Sequence, residues 1–198
     1  MSSAACASLY GMGILNFTAT VSIDGYAADA DGDFQWSAPN SAVFDFHVER
    51  MAEVSTEVLG RTTYALMQYW ETDPDDEVWT PAEHEFARRW RGIDKVVASS
   101  TLTADEIGPD RARLVPDLSL ADLGRIVDEA AGVVEIFGPT VAAAAIRAGM
   151  VEQFQFFVVP KVVGGGLRAL PGDAYLDLKL ADHRIFDNGT AYLRYVSR

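Results

Sequence analysis

The chain has 198 residues, of which 49% are hydrophobic, and its formal net charge is −13. This length fits one domain with a substantial core. The acidic charge argues against nucleic acid and anionic membranes as partners, because both attract basic surfaces. A small phosphorylated ligand is compatible with the charge, since local arginines and helix N-termini can hold it. No apolar run in the sequence is long enough to cross a bilayer.

The single cysteine, Cys6, excludes an internal disulfide and a metal cluster built only from thiolates. Residues 1–12 are small and weakly polar, without the basic segment and apolar core of a secretion signal. We predict that they form a disordered leader, with Met12 as an alternative start, and that the protein is cytoplasmic. Residues 13–198 are predicted to form one domain.

The first predicted strand covers residues 14–22, which are rich in β-formers and partly alternate in polarity. Residues 30–36 are polar and predict a loop. The aspartates there (Asp29, Asp31 and Asp33) lack the downstream glutamate of a calcium-binding EF-hand, so a solvated loop is favoured over a calcium site.

A helix over residues 41–54 and a short strand over residues 57–59 follow. His47 lies on the apolar face of this helix, where packing is a commoner role than metal binding. The strand ends at Gly60, and a second helix begins with Arg61. Arg61 is either an exposed helix-start residue or a phosphate ligand that uses its planar guanidinium.

Two further helices and two strands lie between residues 80 and 131. Ser99 and Ser100 follow one of these strands, and ligands of open α/β sheets lie beyond the carboxyl ends of strands. Such hydroxyls otherwise cap helices or form turns. The predicted helices cover residues 80–90 and 120–131, and the strands cover residues 95–98 and 113–115.

A buried strand over residues 133–137 runs into a Gly138-Pro139 turn and a small-residue helix that Gly149 closes. A strand that stops at glycine and opens a helix presents unpaired N–H groups and a positive dipole end to an anion. An ordinary strand–helix connection is the alternative interpretation.

The last quarter of the chain contains only strands. A β-run over residues 153–159 precedes three glycines at residues 164–166, which suit close backbone approach. A strand at 176–180 and a hairpin over 184–195 end the chain. The pattern therefore predicts an α/β fold with a mainly parallel central sheet, flanking helices and an antiparallel C-terminal hairpin.

Several common catalytic patterns are missing from the sequence. It has no Gly-x-Ser-x-Gly elbow, no histidine pair at zinc-ligand spacing and no phosphate-binding Gly-x-x-x-x-Gly-Lys loop. Glycine-bearing strand ends with few reactive side chains suit an enzyme whose cofactor carries the difficult step.

Six short motifs in a fixed order resemble the dihydrofolate-reductase-like superfamily, and most closely the reductase domain of riboflavin-biosynthesis deaminase/reductases (the RibD C-terminal type). They occupy residues 22–27, 60–64, 96–102, 137–140, 148–152 and 160–166. The resemblance spans residues 14–196. It implies an NADPH-dependent oxidoreductase that transfers hydride to a C=N or C=O bond of a pterin-like, aminopyrimidine-like or carbonyl substrate. It also implies a homodimer.

The resemblance further implies roles for individual residues around NADPH bound at the carboxyl ends of the strands. Asp24 and Gly25 border the nicotinamide and the substrate. The implied phosphate-binding residues are Gly60, Arg61, Thr62 and Thr63 at one helix start, Ser99 and Ser100 near the 2′-phosphate, and Gly138, Pro139, Thr140 and Val141 at the other helix start.

Substrate contacts are implied for Tyr26 and for Trp36, which lies on a loop that closes over the site. Riboflavin-pathway reductases often have a lysine where this chain has Tyr26, so the substrate stays open. Asp45, on the first helix, is either a proton-handling carboxylate or a solvent-facing residue.

At the position of Gly138-Pro139 the family commonly has a Gly-Gly pair, whose peptide bond is cis in dihydrofolate reductases. We therefore predict a cis Gly138–Pro139 bond.

Two other interpretations stay open. A non-catalytic nucleotide or small-molecule binding protein could use the same fold, because a fold does not carry its function with it. The β-run at residues 154–159 could be either core or dimer surface.

Overall fold

The computed structural model describes residues 13–108 and 111–198, so the leader expectation for residues 1–12 lies outside the described residues. The strands are β1 (Leu15–Ser22), β2 (Tyr26–Ala28), β3 (Val54–Gly60), β4 (Asp94–Ala98), β5 (Ala112–Val115), β6 (Val133–Phe137), β7 (Gln153–Val159), β8 (Leu167–Arg168), β9 (Leu178–Ile185) and β10 (Ala191–Ser197). The α-helices are α1 (Ser41–Arg50), α2 (Arg61–Met67), α3 (Pro81–Gly92), α4 (Leu120–Glu129) and α5 (Pro139–Arg147).

Eight strands form one sheet in the order β5-β4-β3-β6-β1-β7-β10-β9. The six strands from β5 to β7 are parallel, and β10 runs antiparallel to both of its neighbours. This arrangement confirms the predicted α/β fold with its antiparallel C-terminal pair. A small sheet of β2 and β8 was not predicted.

Helix starts follow the capping residues in the sequence. The Asn40 side chain accepts a hydrogen bond from the backbone N–H of Val43, and Thr80 forms a capping box with Glu83. The predicted end of α1 at residue 54 is wrong, since the helix stops at Arg50. Val54 instead starts β3 and pairs with β6, so tertiary pairing overrides the helical pattern there.

The two predicted segments near residues 176–186 are one strand, β9. Its pairing with β10 is irregular at Arg194 and Tyr195, and this shift interrupts the alternation on which the prediction relied. Strand β9 is the outer edge of the sheet and leaves Leu180 and Ile185 exposed. An exposed edge can pair with another chain, but the homodimer stays a prediction.

A row of charged and polar side chains crosses the buried middle of the sheet. Glu57 on β3 is register partner to Lys95 on β4 and to Glu135 on β6, and Glu135 pairs in turn with Asn16 on β1. All four residues are buried. Trp90 donates its indole N–H to Glu57 Oε2 at 2.8 Å, and the Lys95 ammonium lies 4.3 Å from the Trp90 ring centroid.

Burial raises the pKa of Glu57 to about 8, and the nearby Glu135 carboxylate adds to the rise. The folded state therefore holds a proton that the unfolded state releases near pH 4.5. Stability should fall as pH rises between these values, by up to about 1.4 kcal/mol per pH unit from this group.

Glu57→Gln should remove this dependence, because an amide keeps the acceptor for Trp90 without the titrating proton. We expect the variant to be more stable than the parent chain at pH 8 and to lose part of the pH slope, as measured by urea unfolding between pH 5 and 9. An unchanged slope would show that folding does not raise the pKa of Glu57.

Gly166 confirms the predicted role of the glycine run. Its φ is +123°, and a Cβ atom there would lie 2.2 Å from the Ala28 carbonyl oxygen. Only glycine allows the loop before β8 to approach β2 this closely.

Candidate functional site

Two helices begin side by side where neighbouring parallel strands end. Strand β3 runs through Gly60 into α2, and β6 runs through Gly138 into α5. A Cβ atom at Gly138 would lie 2.9 Å from Thr63 Oγ1, and one at Gly60 would lie 3.9 Å from Val141 Cβ. We call the space before these two helix starts the two-helix cleft. It receives two sets of unpaired N–H groups and two positive dipole ends.

The prediction of a cis Gly138–Pro139 bond is wrong, because no peptide bond among the described residues is cis. Gly138 instead makes the turn with φ 124° and ψ 127°, a conformation that side chains rarely adopt. Pro139 is the first residue of α5, where a missing N–H costs nothing.

The other phosphate-binding candidates lie around the same cleft. Arg61 is exposed and its Nη1 donates to Thr101 Oγ1 at 3.2 Å, so its guanidinium lies next to the loop after β4. Thr62, Ser100 and Thr140 are exposed as well. The sheet thus brings together three predicted segments that are far apart in sequence.

Ser99 has a structural role. It is buried, and its hydroxyl accepts hydrogen bonds from the backbone N–H groups of Thr101 and Leu102, both at 3.2 Å. The turn interpretation of this hydroxyl is therefore confirmed, while a place near the 2′-phosphate stays a prediction for Ser99 and Ser100.

Asp24 braces the glycine loop. Its carboxylate accepts hydrogen bonds from the N–H groups of Val163 at 3.2 Å and Gly164 at 2.8 Å. Hydrogen bonding from Ser22, then from Gly164 and Val163, lowers the pKa of Asp24, so the group stays ionised. Both oxygens are engaged, and the role of Asp24 at the nicotinamide stays a prediction.

Gly25 and Tyr26 form the start of the small β2–β8 sheet. Gly25 has φ +85°, and its carbonyl accepts a hydrogen bond from the N–H of Ala169 at 3.1 Å. The Arg168 guanidinium lies 5.0 Å from the ring centroid of Tyr26. A cation therefore lies against the Tyr26 ring.

A cavity of about 80 Å³ lies at the carboxyl ends of β1 and β7, beneath the loop that holds Trp36. We call it the upper cavity. Trp36 donates its indole N–H to the Asp33 carbonyl at 2.9 Å, which holds the ring against its own loop. The lining is Thr20, Trp36, Ser37, Ala38, Pro39, Val43, His47, Phe157, Val159, Asn188 and Thr190.

Among the α1 residues that line the upper cavity, His47 has an ionisable side chain. Its ring centroid lies 4.1 Å from that of Phe157, which confirms the predicted packing role. Burial, together with the charge of Arg50, lowers the pKa of His47 to about 3. The imidazole is therefore neutral at physiological pH and offers one hydrogen-bond donor and one acceptor.

Asp45 lies on the exposed side of α1 and lines neither the upper cavity nor the larger cavity described next. This position agrees with the alternative that Asp45 is a solvent-facing residue. Its role in proton transfer stays a prediction.

The larger cavity, of about 310 Å³, lies at the opposite, amino-terminal ends of β1, β6 and β7. We call it the basal cavity. Arg50 forms its wall and donates to Glu135 Oε2 at 2.6 Å, to Thr18 Oγ1 at 2.8 Å and to Gln155. The sequence held a signal for this network, namely polar residues inside otherwise apolar strands, but strand order was needed to bring them together.

Among the described residues, no group of three or more histidine, cysteine, aspartate or glutamate side chains is placed to hold a metal ion. No helix in residues 13–108 or 111–198 has the length and apolar character to span a membrane.

Comparison with protein families gives a match over residues 14–192 to the model of the RibD C-terminal domain. The chain belongs to the RibD C-terminal domain family. No curated protein sequence gives a significant match.

Solved structures share the fold at low sequence identity. A Shewanella sp. PV-4 protein provisionally assigned to riboflavin biosynthesis is 21% identical, with TM-score 0.70 over 93% of this chain and 99% of that one. Dihydrofolate reductase from Enterococcus faecalis, complexed with NADP(H) and RAB-propyl, is 17% identical, with TM-score 0.64 over 96% of this chain and 99% of that one.

A Thermotoga maritima diaminohydroxyphosphoribosylaminopyrimidine deaminase/5-amino-6-(5-phosphoribosylamino)uracil reductase is 15% identical, with TM-score 0.64 over 94% of this chain. The chain covers 57% of that protein. These likenesses confirm the dihydrofolate-reductase-like fold.

Proposed function

We propose that the chain is an NADPH-dependent reductase that acts on a C=N or C=O bond of a small heterocyclic or carbonyl substrate. The observation that carries the proposal is the two-helix cleft, where two glycine-led helix starts lie side by side and Arg61 is the first residue of one of them. Family membership and the NADP(H) in the name of the enterococcal relative support it.

The residues present fit a dinucleotide cofactor. Two helix N-termini suit the two phosphates of a pyrophosphate, and Gly138 leaves the space that a Cβ atom would fill beside Thr63. Bound NADPH would supply a hydride from C4 of its nicotinamide. The protein's part is to hold the phosphates and to orient the substrate at the carboxyl ends of β1 and β7, next to the upper cavity.

The proposal is tested by incubating the protein and NADPH with a panel of aminopyrimidines, pterins and small carbonyl compounds. The absorbance of NADPH reports its oxidation by each compound. We expect at least one class to be reduced, with the product identified by mass. Tight NADPH binding without reduction of any panel member would favour the alternative, a non-catalytic binding protein. One observation favours that alternative: no carboxylate is among the residues that line the upper cavity in the described part of the chain.

Arg61→Ala should weaken NADPH binding about ten- to hundredfold, because a charged hydrogen bond to phosphate contributes about 1.5–3 kcal/mol. Fluorescence titration measures the change. Arg88→Ala is the matched control, since Arg88 is equally a surface arginine but pairs with Glu85 on α3. Equal NADPH affinities of Arg61→Ala and Arg88→Ala would show that Arg61 does not bind the cofactor.

Variants of His47 and Asp45 distinguish a substrate contact made by His47 from the proton transfer that the family resemblance implies for Asp45. We expect His47→Ala to lower kcat/KM about tenfold or more, since a lost hydrogen bond to substrate contributes on this scale. Asp45→Asn should leave kcat/KM unchanged, because Asp45 faces solvent. A large loss in Asp45→Asn alone would instead support the family-based assignment of Asp45.

A further inference from the structure

The segment that follows β4 is tied to helix α2 at both of its ends. We call residues 99–108 the β4 loop. Arg61 Nη1 donates to Thr101 Oγ1 at 3.2 Å, near the start of this loop. The backbone N–H of Gly108, at its end, donates to the Tyr64 hydroxyl at 2.9 Å. Arg61 and Tyr64 are three residues apart on α2, so one face of this helix meets the β4 loop.

Arg61 and Thr63 point to different sides of α2. A Cβ atom at Gly138 would lie 2.9 Å from Thr63 Oγ1, so Thr63 faces the start of α5. Residues two apart on a helix do not face each other, and the guanidinium of Arg61 lies against Thr101. The hydrogen bond to Thr101 therefore places the charge of Arg61 beside the two-helix cleft, on the side of the β4 loop.

Thr101 is itself held in place by a buried residue. The hydroxyl of Ser99, which is buried, accepts a hydrogen bond from the backbone N–H of Thr101 at 3.2 Å. The two hydroxyl oxygens are 3.3 Å apart. Ser99 also donates its backbone N–H to the Val115 carbonyl at 3.2 Å. The acceptor offered to Arg61 is thus anchored to the edge of the central sheet.

The hydrogen bond to Thr101 leaves the charge of Arg61 available to an anion. Arg147 and other surface arginines pair with carboxylates, but the hydrogen-bond partner of Arg61 among the described residues is a neutral hydroxyl. Hydrogen bonds from Thr103 lower the pKa of Glu106, and the nearby charge of Arg61 adds to this effect. Because Thr103 binds that carboxylate with its N–H and its hydroxyl, Glu106 is already engaged. A guanidinium has several N–H donors, so those not used by Thr101 stay free for a phosphate.

We propose that Thr101 is a positioning residue for Arg61, which it holds ready for a phosphate without touching the cofactor itself. An exposed arginine loses much rotamer freedom when it binds an anion, and this loss weakens binding. The hydrogen bond to Thr101 imposes part of the loss before the ligand arrives. The inference rests on the proposed function, in which Arg61 binds a phosphate of NADPH.

Fluorescence titration with NADPH tests the consequence for binding. Thr101→Val keeps the shape of the side chain but removes the acceptor, and it should weaken NADPH binding about two- to tenfold, the scale on which ordering one long side chain affects affinity. Thr101→Ser restores a hydroxyl and should bind NADPH as the parent chain does. Tyr64→Phe is the matched control, because it removes the other tie between α2 and the β4 loop without touching Arg61. Its NADPH affinity should be unchanged.

A double-mutant cycle separates positioning from direct contact. If Thr101 acts only through Arg61, adding Thr101→Val to Arg61→Ala should cause no further loss of NADPH affinity. Equal weakening by Thr101→Val with and without Arg61 would overturn the inference, because Thr101 would then bind the cofactor itself or act on the fold. A loss in Tyr64→Phe as large as that in Thr101→Val would also overturn it, since general order of the β4 loop would then explain both.

NMR relaxation of the Arg61 Nε–H group in the ligand-free chain tests the positioning without the cofactor. The signal is identified by its absence from Arg61→Ala. We expect the order parameter of this group to fall in Thr101→Val and to be retained in Thr101→Ser and Tyr64→Phe. Equal mobility of Arg61 in the parent chain and in Thr101→Val would overturn the inference. An Arg61 that Thr101 orders, in a chain that does not bind NADPH, would count against the proposed function alone.

Discussion

Replacing Gly138 by alanine is expected to weaken NADPH binding at least about tenfold, since strain at such backbone angles is of order 1–3 kcal/mol. Gly138 has φ +124°, and the new Cβ atom would lie 2.9 Å from Thr63 Oγ1. Thr63 is β-branched and stiff at χ1, so the turn must move instead. Any such movement redirects the N–H groups at the start of α5, which are proposed to bind the pyrophosphate.

Gly149→Ala is the matched control for this change. Gly149 lies just beyond the other end of α5 with φ +68°, and a Cβ atom there meets nothing within 4 Å. The control therefore shares the backbone strain but leaves the cleft unchanged, and its NADPH affinity should equal that of the parent chain. Comparable losses in both variants would mean that fold stability, and not the geometry of the cleft, governs binding.

Replacing Arg50 by methionine is expected to cost about 3–5 kcal/mol of unfolding free energy, the usual loss when one partner of a buried ion pair is removed. The side chains of Arg50 and Glu135 are 10% and 6% exposed. Without Arg50, the Glu135 carboxylate would keep only the neutral donors Asn16 and Thr18. Urea unfolding at pH 7 measures the loss.

Arg50→Met/Glu135→Gln should recover most of that stability, because it removes the stranded charge together with its partner. Arg88→Met, at an exposed pair with Glu85 on α3, should cost less than about 1 kcal/mol. A small effect of Arg50→Met, or a double variant no more stable than the single one, would show that water or rearrangement already solvates Glu135.

The fold was predictable because periodicity and glycine positions determine it locally. The strand–glycine–helix joints at Gly60 and Gly138 were found from the sequence, and both lie where expected. The conformation of the turn at Gly138 was not predicted correctly, because the cis prediction came from a family resemblance. The positive φ of glycine provides a trans alternative that the sequence alone does not reveal.

The buried polar network was not predictable in the same way. Asn16, Glu57 and Glu135 occupy separate strands, and their contacts depend on strand order and register. The sequence showed each as a polar residue in an apolar run but gave no partner. His47 illustrates the same limit: helical spacing predicted its packing, while its place in the upper cavity depends on β7 and the hairpin turn.

Calorimetric titration of the nucleotide-free chain with NADPH tests the central claim most directly. We expect one saturable site per chain, an accompanying rise in thermal stability by mass action, and at least about tenfold weaker binding in Gly138→Ala but not in Gly149→Ala. Absence of heat and of any thermal shift at about 1 mM NADPH would contradict the assignment of the two-helix cleft as a cofactor site.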